Sequence, residues 1–191
     1  MGKIVVIDTE TVTGTYGLLS VGAVVLERNS DDIELLETYF GFSDEFEYGF
    51  YFAQQYAYAI RNSIKRKPRF EINADVADLI RRHDIDMVFA YNAGFDKAVA
   101  RAYLPELKAA WYDLMKPARQ LLASAEHYPN YKRIHPHAEL TKNGLLKRGY
   151  SVECVGRYLG LPHETHVAIE DALMETEIAD KLGLFDCATE C

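Results

Sequence analysis

The sequence is poor in cysteine, in long apolar runs and in positive charge, and each shortage narrows what the chain can be. Its three cysteines, Cys154, Cys187 and Cys191, are an odd number without the spacing of a zinc site. They read as reduced thiols of a cytoplasmic protein. No apolar run approaches the roughly 20 residues of a membrane span. Met1-Gly2-Lys3 leads straight into a strand, so neither a signal peptide nor a membrane partner is expected. Lysine and arginine number 21 against 29 acids, a formal net charge of −8. That balance speaks against a protein that coats DNA electrostatically. It leaves room for a nucleic-acid substrate if divalent cations offset the local acidity. The basic runs are short (Lys65-Arg66-Lys67-Pro68-Arg69, Lys132-Arg133, Lys147-Arg148) and read as solvated surface. No Gly-x-Gly-x-x-Gly follows the first strand, which argues against a dinucleotide-binding domain. No internal repeat or linker divides the 191 residues, so one domain over 1–191 is expected.

What is present begins with an apolar strand, residues 3–10, and continues with strands at Leu19 to Glu27 and Ile33 to Phe42, joined by a turn at Arg28–Asp32. A helix is expected from Phe52 to Asn62, and a second capped by Asn73, with Val76, Leu79 and Ile80 on one face and an end near His83-Asp84. Met87 to Tyr91 reads as a short buried strand. Asn92 then opens a helix with Phe95, Val99, Ala102 and Tyr103 inward, stopped by Pro105. Trp111 to Met115 reads as a fifth strand, followed by a helix from Pro117 to Glu126, a loop from His127 to Asn143, and helices at Ser151–Leu159 and Val167–Leu182. Three strands followed by alternating helices and strands predict an α/β domain with a mixed sheet.

Acids occupy particular places in that pattern. Asp8 and Glu10 end the first strand, whose Ile4-Val5-Val6-Ile7 run predicts burial on both faces. Side chains alternate along a strand, so the two acids share a face and Thr9 points away. Two neighbouring carboxylates at such a place need a cation or strong donors. A hard metal with oxygen ligands is the natural partner. Asp171 lies with Val167, Met174, Ile178 and Leu182 on an otherwise apolar helical face, and His166 stands just before that helix. Asp96 falls in the first turn of the helix after the Met87–Tyr91 strand. Asp8, Glu10 and Asp96 therefore all lie at carboxyl ends of strands, where open α/β sheets bind ligands. Each of these residues alone has an ordinary structural reading; the combination points to one site.

Three segments carry a resemblance to a known family: Asp8-Thr9-Glu10, Asn92-Ala93-Gly94-Phe95-Asp96 and His166-Val167-Ala168-Ile169-Glu170-Asp171-Ala172. In this order and spacing they resemble the motifs of the DEDDh 3′→5′ exonucleases, the DnaQ-like superfamily that includes the proofreading epsilon subunit of bacterial DNA polymerase III. The resemblance implies an RNase H-like fold, a five-stranded mixed sheet flanked by helices, and two divalent ions, Mg²⁺ or Mn²⁺. It implies that Asp8, Glu10 and Asp171 hold the water-activating ion, that Asp8 bridges to the second ion, and that Asp96 completes the cluster. Two ions about 3.5–4 Å apart can stabilise the attacking and leaving oxygens of an in-line phosphoryl displacement. His166 is the expected general base, because an imidazole with its ordinary pKa of about 6.5 accepts a proton near neutral pH. Thr9, Thr11, Asn92 and Phe95 are candidate substrate contacts. The expected partner is nucleic acid with a free 3′ end, DNA ahead of RNA. A polymerase or a second copy of the chain is a further candidate partner, and a non-catalytic nucleic-acid-binding module is the rival from another class.

The sequence departs from the family in two places. The run Thr11-Val12-Thr13-Gly14 implies a loop one residue longer than the usual Thr-Thr-Gly, and no Pro-containing segment with a His-Gly pair follows the third strand. An aromatic-rich stretch from Phe46 to Phe70 stands in its place. Its residues read first as packing, with Phe46, Tyr48 and Tyr51 as candidates for stacking on unpaired bases. His135 and His137 sit two apart in the expected loop, without the cysteine or acidic partners that a metal site would need.

Overall fold

A computed structural model describes residues 2–12, 17–29, 32–49 and 51–190. Ile4, Val5, Val6 and Ile7 are wholly buried. Alternation divides them between two cores, Ile4 and Val6 packing in one apolar cluster and Val5 and Ile7 in another. Their strand, β1 (Gly2–Thr11), is therefore covered on both faces. β2 (Leu18–Arg28) pairs antiparallel with β1, and β3 (Ile33–Phe42) antiparallel with β2. The turn between them is closed by the Asn29 N–H donating to the Asp32 carbonyl at 3.0 Å; Ser30 and Asp31 lie outside the described residues. On the other side of β1, β4 (Met87–Ala90) and then β5 (Ala110–Asp113) add in parallel. A short antiparallel hairpin, β6 (Glu139–Leu140) and β7 (Leu146–Arg148), stands apart from the sheet. Two residues near the end, β8 (Thr189–Glu190), pair with β5 and give the order β3-β2-β1-β4-β5-β8. The expected five-stranded mixed sheet is present, widened by this short edge strand.

The helices are α1 (Phe52–Arg61), α2 (Arg69–His83), α3 (Ala93–Tyr103), α4 (Met115–Leu122), α5 (Tyr128–Ile134), α6 (Val152–Leu159) and α7 (Ala168–Lys181). Residues of α2 and α3 bury against Val5 and Ile7, and residues of α4 to α7 against Ile4 and Val6. α7 carries the longest buried face, including Ala168, Ala172, Ile178 and Ala179. Among the described residues no helix is long and apolar enough to cross a membrane. Cys154 and Cys187 are free thiols, and Cys191 lies outside the described residues.

Three expectations are corrected. The helix predicted to start at Asn73 begins at Arg69, with Pro68 as the cap residue. The fixed φ of proline suits a helix entrance as well as an Asn cap does, and Asn73 lies inside the helix. α3 is turned so that Ala93, Asp96, Val99 and Ala100 face inward, leaving Phe95 and Ala102 exposed. The segment from His127 to Asn143 is not a continuous loop, because α5 and β6 lie within it. Pro129 falls in the first turn of α5, where its missing N–H costs nothing. Tyr131 of α5 is wholly buried, and its hydroxyl donates to the Gly149 carbonyl.

Candidate active site

Asp8 and Glu10 continue β1 beyond its buried core, on the side of Ile4 and Val6 and hence of α7. Thr9 takes the opposite side, towards α3. There it is 3% exposed, and both its N–H and its hydroxyl donate to Asp96 Oδ1, at 3.0 and 2.7 Å. The residue between the two acids therefore fixes the third. Asp8 faces Gly22 across the β1–β2 ladder. A β-carbon at Gly22 would lie 2.2 Å from the Ala168 carbonyl oxygen. The missing side chain lets the first turn of α7 press onto the sheet beside Asp8.

α7 brings two acids rather than one. Asp171 and Glu175 are each 3% exposed and stand one turn apart on the same face. Asp171 Oδ1 accepts from the Thr165 N–H at 3.1 Å. Glu175 Oε2 accepts from the Tyr91 N–H at 3.0 Å, tying α7 to the end of β4 just before the Asn92–Asp96 segment. Glu175 was missed in the sequence, although the four-residue step from Asp171 is the signal that marks it. His166 precedes α7 in the left-handed region, with φ +55°. Its Nδ1 lies 3.8 Å from Glu10 Oε1 and 3.7 Å from Glu164 Oε1.

Burial pushes all these carboxyls up, and their mutual repulsion adds to it. Glu10 is raised to about 8, burial acting first and Asp171 next. Asp171 rises to about 7, burial outweighing the Thr165 N–H bond. Asp96 also rises to about 7 by burial, held back by the two bonds from Thr9. Asp8 and Glu175 are driven well above the carboxylate range by burial, each also feeling neighbouring acids. Five acids in one place repel unless protons or cations intervene.

The donor set fits a divalent cation. Glu10, His166 and Asp171 each offer a ligand atom, and these atoms all lie within 4.8 Å of one another. Asp8 Oδ2 and Asp171 Oδ2 are enclosed and have no hydrogen-bond partner. Enclosed anionic oxygens without donors are costly on their own, and hard oxygen donors converging in this way suit Mg²⁺ or Mn²⁺.

The remaining candidates lie around this cluster with different surroundings. Thr9, an expected substrate contact, also holds Asp96 through its N–H and hydroxyl. Thr11 is half-buried where the register of β1 shifts. Asn92 is exposed, with φ +70° and no side-chain cap bond. Phe95, 38% exposed, presents an apolar surface beside Asp96. Phe46 packs against a small cluster of Val12, Leu19, Phe42 and Ala59, while Tyr48 is exposed. Tyr51 stacks on His166. Thr13 and Gly14 lie outside the described residues. His135 is buried and His137 exposed, so the two do not share an environment. Of the basic runs, Lys67 is paired with Asp75 at 2.6 Å, and Arg66 Nε donates to the Ser43 carbonyl at 3.0 Å.

No protein-family model matches the chain, and no curated protein matches it. Solved structures do. The nuclease domain of 3'hExo, described as a DEDDh family member bound to rAMP, superposes with TM-score 0.62 at 12% identity, over 99% of this chain and 96% of its own. A 3'-exonuclease described in 3'-end specific recognition of a histone mRNA stem-loop gives TM-score 0.59 at 10% identity, over 99% and 90%. A full-length 3'-exonuclease gives TM-score 0.60 at 12% identity over 97% of this chain, which spans 61% of that protein's length. At such identities the likeness is one of backbone. The chain has the RNase H-like fold of the DEDDh 3′-exonucleases.

Proposed function

We propose that the chain is a divalent-metal-dependent 3′→5′ exonuclease that releases nucleoside 5′-monophosphates from nucleic acid with a free 3′ end. One observation carries this reading. The enclosed, unpartnered oxygens of Asp8 and Asp171 lie in a cluster of acids that only protons or cations make tolerable. Asp8, Glu10, Asp96 and Asp171 would hold the ions, two in number and Mg²⁺ or Mn²⁺ in kind. Bound there, they supply charge neutralisation and an acidified water. His166, whose Nδ1 faces Glu10 and Glu164, is the group that would accept the proton of the attacking water. Phe95 and Asn92 border the cluster from α3 and are the substrate contacts of this reading. The raised carboxyls and the orphaned oxygens favour it over a non-catalytic binding module, which has no use for such a cluster.

RNA is the second reading of the substrate. DNA is expected first from the sequence resemblance, whereas two of the solved neighbours are described with histone mRNA and with rAMP. The 2′-hydroxyl decides between them at the terminal nucleotide. The test is a Mg²⁺ and Mn²⁺ titration on matched 5′-labelled DNA and RNA oligonucleotides, single- and double-stranded. A ladder shortening from the 3′ end is expected, with Asp8→Ala inactive. Metal-independent cleavage, or full activity in Asp8→Ala or His166→Ala, overturns the corresponding assignment.

A further inference from the structure

α1 sends two side chains to one residue outside it. The Tyr51 ring, just before the helix, stacks on the His166 imidazole with centroids 3.9 Å apart and planes 21° from parallel. One turn on, Gln55 is wholly buried, and its Nε2 donates to the His166 carbonyl oxygen. The ring is held by its face and the backbone by its oxygen. His166 needs such support for two reasons. Its φ of +55° is a conformation that side chains rarely adopt. The approaches of Nδ1 to Glu10 and Glu164, at 3.8 and 3.7 Å, are too long for hydrogen bonds. Apart from Gln55, the only buried residue of α1 is Ala59. A glutamine amide is an expensive choice for the centre of a helix's inner face unless it has a task, and His166 is the residue it serves.

We infer that α1 is a clamp on the His166 imidazole, with Tyr51 and Gln55 as positioning residues that hold it against the acid cluster. The contact stands on geometry alone, and its bearing on rate rests on the exonuclease reading above. Two measurements separate these. In ¹H–¹³C correlation spectra of histidine-labelled protein, Tyr51→Leu shifts the His166 ring signals by removing the stacked ring, and Tyr51→Phe largely restores them. Unmoved signals in Tyr51→Leu overturn the clamp.

In turnover assays Tyr51→Leu lowers kcat by roughly tenfold to a hundredfold, the effect of a displaced catalytic group. KM changes by less than about twofold, and Tyr51→Phe recovers most of the loss. A raised KM at unchanged kcat assigns Tyr51 to base stacking instead and overturns the inference. Gln55→Leu lowers kcat in the same way; a change confined to its melting temperature removes Gln55 from the clamp. His166 signals that shift in Tyr51→Leu, together with a wild-type protein that cuts nothing with Mg²⁺ or Mn²⁺, sink the exonuclease reading and support the clamp.

Discussion

Asp8, Thr9 and Glu10 show how much a strand achieves by alternation. The outer two reach the α7 side, the middle one reaches α3, and one distant acid, Asp96, is held by the residue between the two neighbouring ones. The pairing of Asp8 with Glu10 is legible in the sequence because the period of a strand is fixed at two. The bond from Thr9 to Asp96 is not, since nothing local says that residues 87 apart in the chain meet. Glu175 gives a residue-scale prediction. Its carboxyl is pushed up by burial, which favours the protonated form in the metal-free protein, and an amide mimics that form. Glu175→Gln is expected to stay within about 0.5 kcal/mol of wild type in denaturant melts at pH 7. Glu175→Ala leaves the Tyr91 N–H without its acceptor and opens a cavity, costing about 2 kcal/mol or more. Equal damage in both variants would show that Glu175 is ionised.

At the scale of elements, the approach of α7 to the β1–β2 pair decides whether Asp171 reaches Asp8. Gly22 is the point of contact, and a methyl group there meets the Ala168 carbonyl at 2.2 Å, a backbone atom that cannot turn aside. Gly22→Ala is expected to lower both the melting temperature and kcat, because α7 must retreat with its acids. Gly94 in the first turn of α3 has nothing within 4 Å of the same added atom. Gly94→Ala is expected to leave stability in denaturant melts unchanged or raise it by up to about 0.5–1 kcal/mol of helix propensity. A Gly22→Ala protein as active and stable as wild type would mean that α7 is not seated by this contact. The elements most legible in the sequence are β3, found at its predicted bounds, and α7, whose apolar stripe is long and regular. α5 was hidden because proline reads as a breaker until its place in the helix is known. The rotation of α3 was hidden because Phe95, not Asp96, is the residue expected to face a core.

For the whole molecule, the acid cluster links stability to pH and to metal. Glu10, Asp96 and Asp171, at about 7 to 8, bind protons more tightly folded than unfolded, where carboxyls titrate near pH 4. Folding then takes up protons between about pH 4 and pH 8, and this contribution to stability is lost as pH rises through that window. Without metal, the melting temperature is expected to be lower at pH 8 than at pH 5 on this account. Millimolar Mg²⁺ or Mn²⁺ should raise it, and by more at pH 8, where ligand oxygens need not first release protons. A metal-induced shift that is the same at both pH values, or absent, counts against the cluster as a metal site. Calorimetry with and without chelator at the two pH values reads this directly.

The acids of the site come from residue 8 at one extreme and residue 175 at the other, with Asp96 midway. A ribosome delivers the chain in that order. Asp8 and Glu10 emerge early, yet Asp171 and the His166 that accompanies it are added only after the sheet that receives them has been made. The cluster can therefore close only when almost all of the described chain is available to fold. A protein meant to cut nucleic acid would thus be made beside messenger and ribosomal RNA in a form that lacks half of its own chemistry.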